Sequence, residues 1–279
     1  MNIAVIVPSN RPENVQTFLS AWKDQFIKYD VKIYLVIDGD EPTVNGQSAI
    51  DFMSGYSGLI YNKTDAVRNL GFAKAYKDGA DIFISLDDDT KPYGDTIGDH
   101  FKALDQRVPI SWMNTANEVY MRGFPYGIRQ EAEVVLSHGV WKGVADFDAS
   151  TQLVLGNMEV TYPKMPIPKG ILFPMCIMNV AFKRCMMPYM YQAPMGHEVG
   201  VDRFADIWGG IEAKKAIDEN GWAAVTGYST VIHDRASNPF VNLVKESKGI
   251  GMNEEYGKDE YFKLFAKNRA TWKKYIEES

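Results

Sequence analysis

A chain of 279 residues with 46% hydrophobic and 24% charged residues has room for one large domain or two ordinary ones, and the makeup of a globular protein with a substantial core. Thirty basic against 36 acidic residues leave a net charge of −6 with no Lys/Arg-rich run, which argues against a nucleic-acid partner. Cys176 and Cys185 form no disulfide framework or metal motif, no apolar run approaches a membrane span, and the N-terminus lacks the basic start of a signal peptide, so a reducing, cytoplasmic location is expected.

The first third alternates strand and helix. IAVIVP is a continuous apolar, β-branched run of buried-strand type ending at Pro8. RPENVQTFLSAWKDQF has apolar residues at helical spacing, with Pro12 where a helix begins. VKIYLVIDGD is a second strand entering a polar turn, and GLIYN reads as a short third. TDAVRNLGFAKAYKDG is a helix capped by Thr64 or Asp65 and closed by Gly79. ADIFISL is the fourth strand and stops at Asp87, Asp88 and Asp89. This order predicts an α/β fold with a mostly parallel central sheet flanked by helices, whose ligand binds beyond the carboxyl ends of the strands. Asp38, Asp40 and the three aspartates fall on that edge.

From Val108 to Pro174 the chain is rich in Gly, Pro and aromatics and reads as active-site loops. RFADIWGGIEAKKAIDENG returns to a helix closed by Gly221, and WAAVTGYSTVIHD is a strand or pair of short strands ending at His233. The end, from Glu255 to Ser279, is an amphipathic helix. One domain over residues 1–279 is expected, with 251–279 as a C-terminal helical segment.

Alternating side chains let Asp87 and Asp89 face one ligand, and carboxylates suit Mg²⁺ or Mn²⁺; a solvated turn is the plainer reading. Arg68 is placed to reach a diphosphate at the same edge or is an ordinary surface arginine. His233 completes a metal's ligand set or is a packed residue. LSHGVW holds Ser137, His138 and Trp141 without a nucleophile elbow, so His138 is read as a hydrogen-bonding residue for sugar or backbone. SNPFVNL starts a helix capped by Ser237 or Asn238, whose backbone N–H groups suit a phosphate, with Lys245 as a diphosphate contact or a solvated lysine.

Three blocks, RGFPYGIRQEAEVVLSHGVWKGVADFDASTQLV, IPKGILFPMCIMNVAF and IHDRASNPFVNLVKESKGI, resemble the reversibly glycosylated polypeptides, the UDP-arabinopyranose mutase family. IVPSNRP, VIDGD and SLDDD fit the same family in order, and the resemblance covers roughly residues 3 to 250. It implies a GT-A-type nucleotide-sugar fold, Mn²⁺ (or Mg²⁺), a UDP-sugar and a homo-oligomer as an open possibility. Asp87, Asp89 and His233 match as metal ligands. Pro8, Arg11, Asp38, Arg68, Asp87, Asp88, Arg122, His138, Asp146, Asp148, Asn238 and Lys245 are assigned to nucleotide or substrate binding, Asp38 to the uracil. Arg129 stands where the family's glycosylated arginine lies.

The reaction implied is interconversion of UDP-arabinopyranose and UDP-arabinofuranose, with self-glycosylation. Capture of the sugar on Arg129 would let the ring open, provided a carboxylate takes a proton from the guanidinium. Glu131, Asp146, Asp148 and Asp206 are candidates, and Asp206 is favoured. Alternatively, Arg129 stabilises enzyme-held UDP while the sugar rearranges. Two departures stand out: FADIW has Ala205 where the family has the first of two aspartates, and the loop MYQAPMGHEVGVDR fits only loosely. A glycosyltransferase using a UDP-sugar, a non-catalytic nucleotide-sugar scaffold and a two-metal phosphohydrolase are the other readings.

Overall fold

The computed structural model describes residues 1–114, 119–129, 131–156, 158, 160–234 and 238–279. In chain order the elements are β1 (Ile3–Ser9), α1 (Pro12–Lys28), β2 (Val31–Ile37), β3 (Thr43–Val44), β4 (Gln47–Ser48), α2 (Ala49–Phe52), α3 (Arg68–Lys77), β5 (Ile82–Leu86), β6 (Thr90–Pro92), α4 (Thr96–Leu104) and β7 (Arg107–Pro109). They continue with β8 (Glu131–Gly143), α5 (Ala149–Leu155), β9 (Met165–Ile167), β10 (Asn179–Lys183), α6 (Ala205–Glu219), β11 (Ala223–His233), α7 (Pro239–Glu254) and α8 (Glu260–Glu278).

The sheet runs β4-β3-β2-β1-β5-β10-β8-β11-β6, with β7 on β8 and β9 on β11. Only β1–β2, β1–β5 and β8–β11 pair in parallel among the described strands. The expected mostly parallel sheet is therefore corrected to a mixed one. Residues 168–178 carry the chain across to the carboxyl edge before β10 begins, so β10 runs back antiparallel between β5 and β8.

Both faces of the sheet are buried, which is why β1 and β5 are apolar nearly throughout, Ser9 and Ser85 excepted. Ile3, Val5 and Val7 pack with Phe18, Trp22 and Phe26 of α1 and with α4. Ala4 and Ile6 face the other way, onto a core built with α3, α6 and α8. The C-terminal helix belongs to that core: Trp272 is fully buried and its indole N–H donates to the Met187 carbonyl at 2.9 Å.

Two local expectations change. GLIYN is a 3-10 turn over Ser57–Leu59 rather than a strand. The third strand after β2 is instead the β3–β4 hairpin, turned by Asn45 and Gly46 at φ +48° and +82°, a residue pair suited to two consecutive left-handed positions. The middle region holds the 13-residue β8, whose last buried run pairs with β10 and β11. No helix of the described residues is long and apolar enough to cross a membrane.

Candidate active site

Asp87, Asp88 and Asp89 leave β5 at its carboxyl end in a turn closed by the Thr90 N–H, which donates to the Asp87 carbonyl at 3.2 Å. Asp88 is buried, accepting from Ser9 Oγ at 2.5 Å and from Arg11 Nε at 3.3 Å. It thereby ties β5 to the end of β1. Asp87 accepts from Arg68 Nη2 at 2.6 Å. Arg68 is no surface residue: it is 1% exposed, also contacts Ser85, and acts as the fixed counter-charge of Asp87.

Asp89 faces His233, with Oδ1 at 3.8 Å from Nε2. Partial burial and the neighbouring Asp87 push the Asp89 carboxyl up. His233 Nδ1 lies 2.9 Å from the Val144 carbonyl, which can only accept, so the neutral ring carries its hydrogen on Nδ1 and turns the Nε2 lone pair toward Asp89. A second ring nitrogen bound to a backbone carbonyl is the usual support of a metal-ligating histidine. By donor type two carboxylates and an imidazole lone pair suit a hard divalent cation, but in this structure the ligand atoms of Asp87, Asp89 and His233 do not all lie within 4.8 Å of one another.

A cleft with a free volume of about 200 Å³ opens over the ends of β1, β2 and β5, lined among others by Pro8, Asp38, Lys63, Asp202, Arg203 and Lys245. Asp38 Oδ1 accepts from the Gly39 N–H at 2.9 Å and the Lys63 N–H at 2.7 Å, which leaves the carboxylate's second oxygen as the natural acceptor for a ligand N–H. Burial pushes its carboxyl up. Lys63 and Arg203 hold left-handed backbones, at φ +57° and +66°, each at a cost of about 1–2 kcal/mol. Arg203 is fixed by Glu246, whose Oε1 accepts from Nε at 2.9 Å.

Beside Asp87 lies a second acidic group. Ligand atoms of Asp146, Cys176 and Asp206 lie within 4.8 Å of one another, the one such trio among the described residues able to hold a metal ion. Asp206 sits in the first turn of α6 and accepts from the Ile177 N–H at 3.3 Å. Burial, then Asp146 and Asp65, push its carboxyl up to about 8. Burial also raises Asp146, and burial with the surrounding carboxyls raises the Cys176 thiol. A thiol so disfavoured from ionising is a poor donor to a hard cation, which makes this trio better suited to holding protons than Mn²⁺ or Mg²⁺.

The reversibly glycosylated polypeptide family profile matches residues 1–271. The chain belongs to that family. UDP-arabinopyranose mutase 3 of Arabidopsis thaliana is 35% identical over 282 residues, covering 90% of this chain and 75% of the relative. Probable UDP-arabinopyranose mutase 4 of the same plant is 32% identical, covering 91% and 76%, and probable UDP-arabinopyranose mutase 1 of Pisum sativum is 34% identical, covering 90% and 75%. The match reaches past residue 250, where the resemblance seen in the sequence ends, and takes in most of α8.

Within this family member, not every residue singled out above converges on the cleft. Arg129 lies two residues before β8, whose start pairs with β7, whereas the carboxyl edge is at Gly143 beside His233. Most of β8 separates Arg129 from Asp146, roughly 40 Å at about 3.3 Å per residue. Its guanidinium stacks on Tyr126 at 4.0 Å and Tyr120 at 4.7 Å and donates to the Phe124 carbonyl at 3.3 Å. Arg129 and Asp206 are thus not brought together. Arg122 is exposed in a turn of the same loop.

Asp148 caps α5 by accepting from the Thr151 N–H at 2.9 Å and its hydroxyl at 2.6 Å. Asn238 caps α7 by accepting from the N–H groups of Phe240 and Val241, the groups a phosphate was expected to take; Ser237 lies outside the described residues. His138 is a core residue with Nδ1 at 2.9 Å from Thr226 Oγ1. Lys245 does reach the cleft, 3.7 Å from Asp202. Sequence reasoning missed Lys63, Asp65, Asp202, Arg203 and Cys176. The loosely matching loop before α6 carried a signal for Asp202 and Arg203 as a pocket segment, without singling either out.

Proposed function

We propose that this chain is a UDP-sugar mutase interconverting UDP-arabinopyranose and UDP-arabinofuranose, built on a GT-A-type nucleotide-sugar fold with Mn²⁺ or Mg²⁺ held by Asp87, Asp89 and His233. The observation that carries the reading is one cleft that gathers Asp38, the cations Lys63, Arg203 and Lys245, and Asp87, with the mutually close carboxyls of Asp146 and Asp206 as a separate proton-holding pair. The names of the relatives and the parallel β2–β1–β5 unit ending in acidic residues support it.

Asp38 accepts the uracil N–H, and the three cations hold the diphosphate. A bound divalent cation supplies neutralisation of the charge that develops on the departing diphosphate. Contraction of the ring then needs four bond changes. The C1–O bond to UDP breaks, the electron pair leaving with UDP. O4 adds to C1 and gives up its proton. The C1–O5 bond breaks and O5 takes a proton. The retained UDP re-adds to C1. One proton moves from O4 to O5, and two carboxyls with raised pKa values suit that transfer. Asp146 takes the proton and Asp206, protonated at neutral pH, gives one.

The placement of Arg129 on the opposite edge supports this path through enzyme-held UDP over capture on arginine. Glycosylation of Arg129 would then be a separate event outside the cleft. The test is an NMR time course of UDP-arabinopyranose with the chain and Mn²⁺. Furanose approaching one equilibrium ratio from either side is expected. Free UDP without furanose would replace the mutase by transfer or hydrolysis.

A further inference from the structure

Trp141, near the carboxyl end of β8, is the centre of an aromatic cluster. Its ring centroid is 5.4 Å from Tyr162 and 6.3 Å from His138, and Phe173 stands edge-on to His138 at 5.1 Å. The polar atoms of this cluster are anomalous. Trp141 Nε1, Tyr162 Oη and His138 Nε2 are each buried with no hydrogen-bond partner among the described residues. Trp141 as a whole is 9% exposed and His138 6%.

An unpaired buried donor or acceptor costs about 1–3 kcal/mol. Three in one ring cluster are hard to explain by packing, because phenylalanine would fill nearly all the space of Tyr162 without that cost. Such groups persist where a ligand supplies the missing partners. The cluster also adjoins the acidic pair: after burial itself, Asp146 and Cys176 are what push the Tyr162 phenol up. Asp146 in turn senses Arg203, Asp87 and His233. Trp141 pairs with Val231, two residues before His233, so the cluster reaches the same carboxyl edge as the cleft's acidic residues. In a nucleotide sugar, the group beyond the diphosphate is the sugar.

We propose that Trp141 and Tyr162 form the wall that holds the pentose, Trp141 Nε1–H donating to one sugar hydroxyl and Tyr162 Oη bonding a second. An amphipathic wall suits a sugar, whose C–H face packs on a ring while its hydroxyls demand partners. This assignment rests on the reading of the cleft as a UDP-sugar site, and it makes these residues determinants of sugar binding, with no part in holding UDP.

Calorimetry on the whole chain with Mn²⁺, using UDP and UDP-arabinopyranose as probes, tests it with Trp141→Phe and Tyr162→Phe. Each variant keeps an aromatic ring and loses the polar atom, and an unchanged melting temperature verifies the fold. The expected result is UDP affinity within about twofold of the parent and UDP-arabinopyranose affinity lowered about tenfold, the worth of one well-formed hydrogen bond. Unchanged affinity for UDP-arabinopyranose in both variants overturns the assignment. So does an equal loss for both probes, which would mark a general disturbance of the site. Because the readout is binding, a parent chain that binds UDP-arabinopyranose and forms no furanose would count against the mutase reading alone.

Discussion

The two ends of β8 treat charge in opposite ways. At its start, charge is satisfied locally: Arg129 lies on two tyrosine rings, Arg107 donates to the Glu131 carbonyl at 2.7 Å, and Lys183 pairs with Glu133 at 2.6 Å. At its far end, carboxyls crowd one another, and Asp89, Asp146 and Asp206 all have raised pKa values. Surface pairs of the first kind contribute little and ask for nothing. Crowded acids of the second kind are costly unless a cation or a substrate proton is to be handled, and so the second end is where chemistry is expected.

The sharpest way to break that contrast is Asp206→Asn. Turnover should fall by about 10²–10⁴-fold, the scale of a lost general acid or base, with UDP affinity retained in calorimetry. Turnover near that of the parent would remove Asp206 from the reaction. Next in size is Asp89→Ala, for which Mn²⁺-dependent UDP affinity should drop at least about tenfold; unchanged affinity would remove Asp89 from the metal site.

The third effect is on pH. Asp206 moves from an ordinary value of 3.8 to about 8 on folding, so the protonated form persists to that pH and turnover should decline as pH rises through about 8. The same shift has a sign for stability. Between about 4 and 8 the unfolded chain has released a proton that the folded chain keeps, so stability falls as pH rises through that window. Asp206→Asn should therefore melt at higher temperature than the parent at neutral pH, and the gap should close toward pH 4. A melting difference independent of pH would contradict it. The smallest effect belongs to the other end of β8: Arg129→Ala should leave kcat/KM within about threefold, and a loss of about a hundredfold or more would return Arg129 to the reaction.

Much of the first third of the fold was legible because its signals are local. The runs IAVIVP and ADIFISL are apolar on both faces, Thr64 caps a turn that leads into α3, and the aspartates stop β5. Strand β8 was not legible in the same way. EAEVVLSHGVWKG mixes polar residues and a glycine into a strand whose partners, β10 and β11, come from much later in the chain. The mixed sheet follows from that one strand and its antiparallel neighbour β10, and no periodicity within either announces their direction.

The candidate site divides along the same line. Asp38, Asp87, Asp89 and His233 could be named from residue type and position because each lies at or just past the end of a strand, and strands bring their ends to one edge by hydrogen bonding. Roles that depend on partners had to wait for the tertiary structure. It made Asp88 a tie to Ser9, made Arg68 the buried counter-charge of Asp87, brought Asp146 and Asp206 from separate segments to within one site, and left Arg129 at the opposite edge. Chemical type and local conformation are written residue by residue. Proximity, burial and the pKa shifts that follow from them exist only once distant segments have packed.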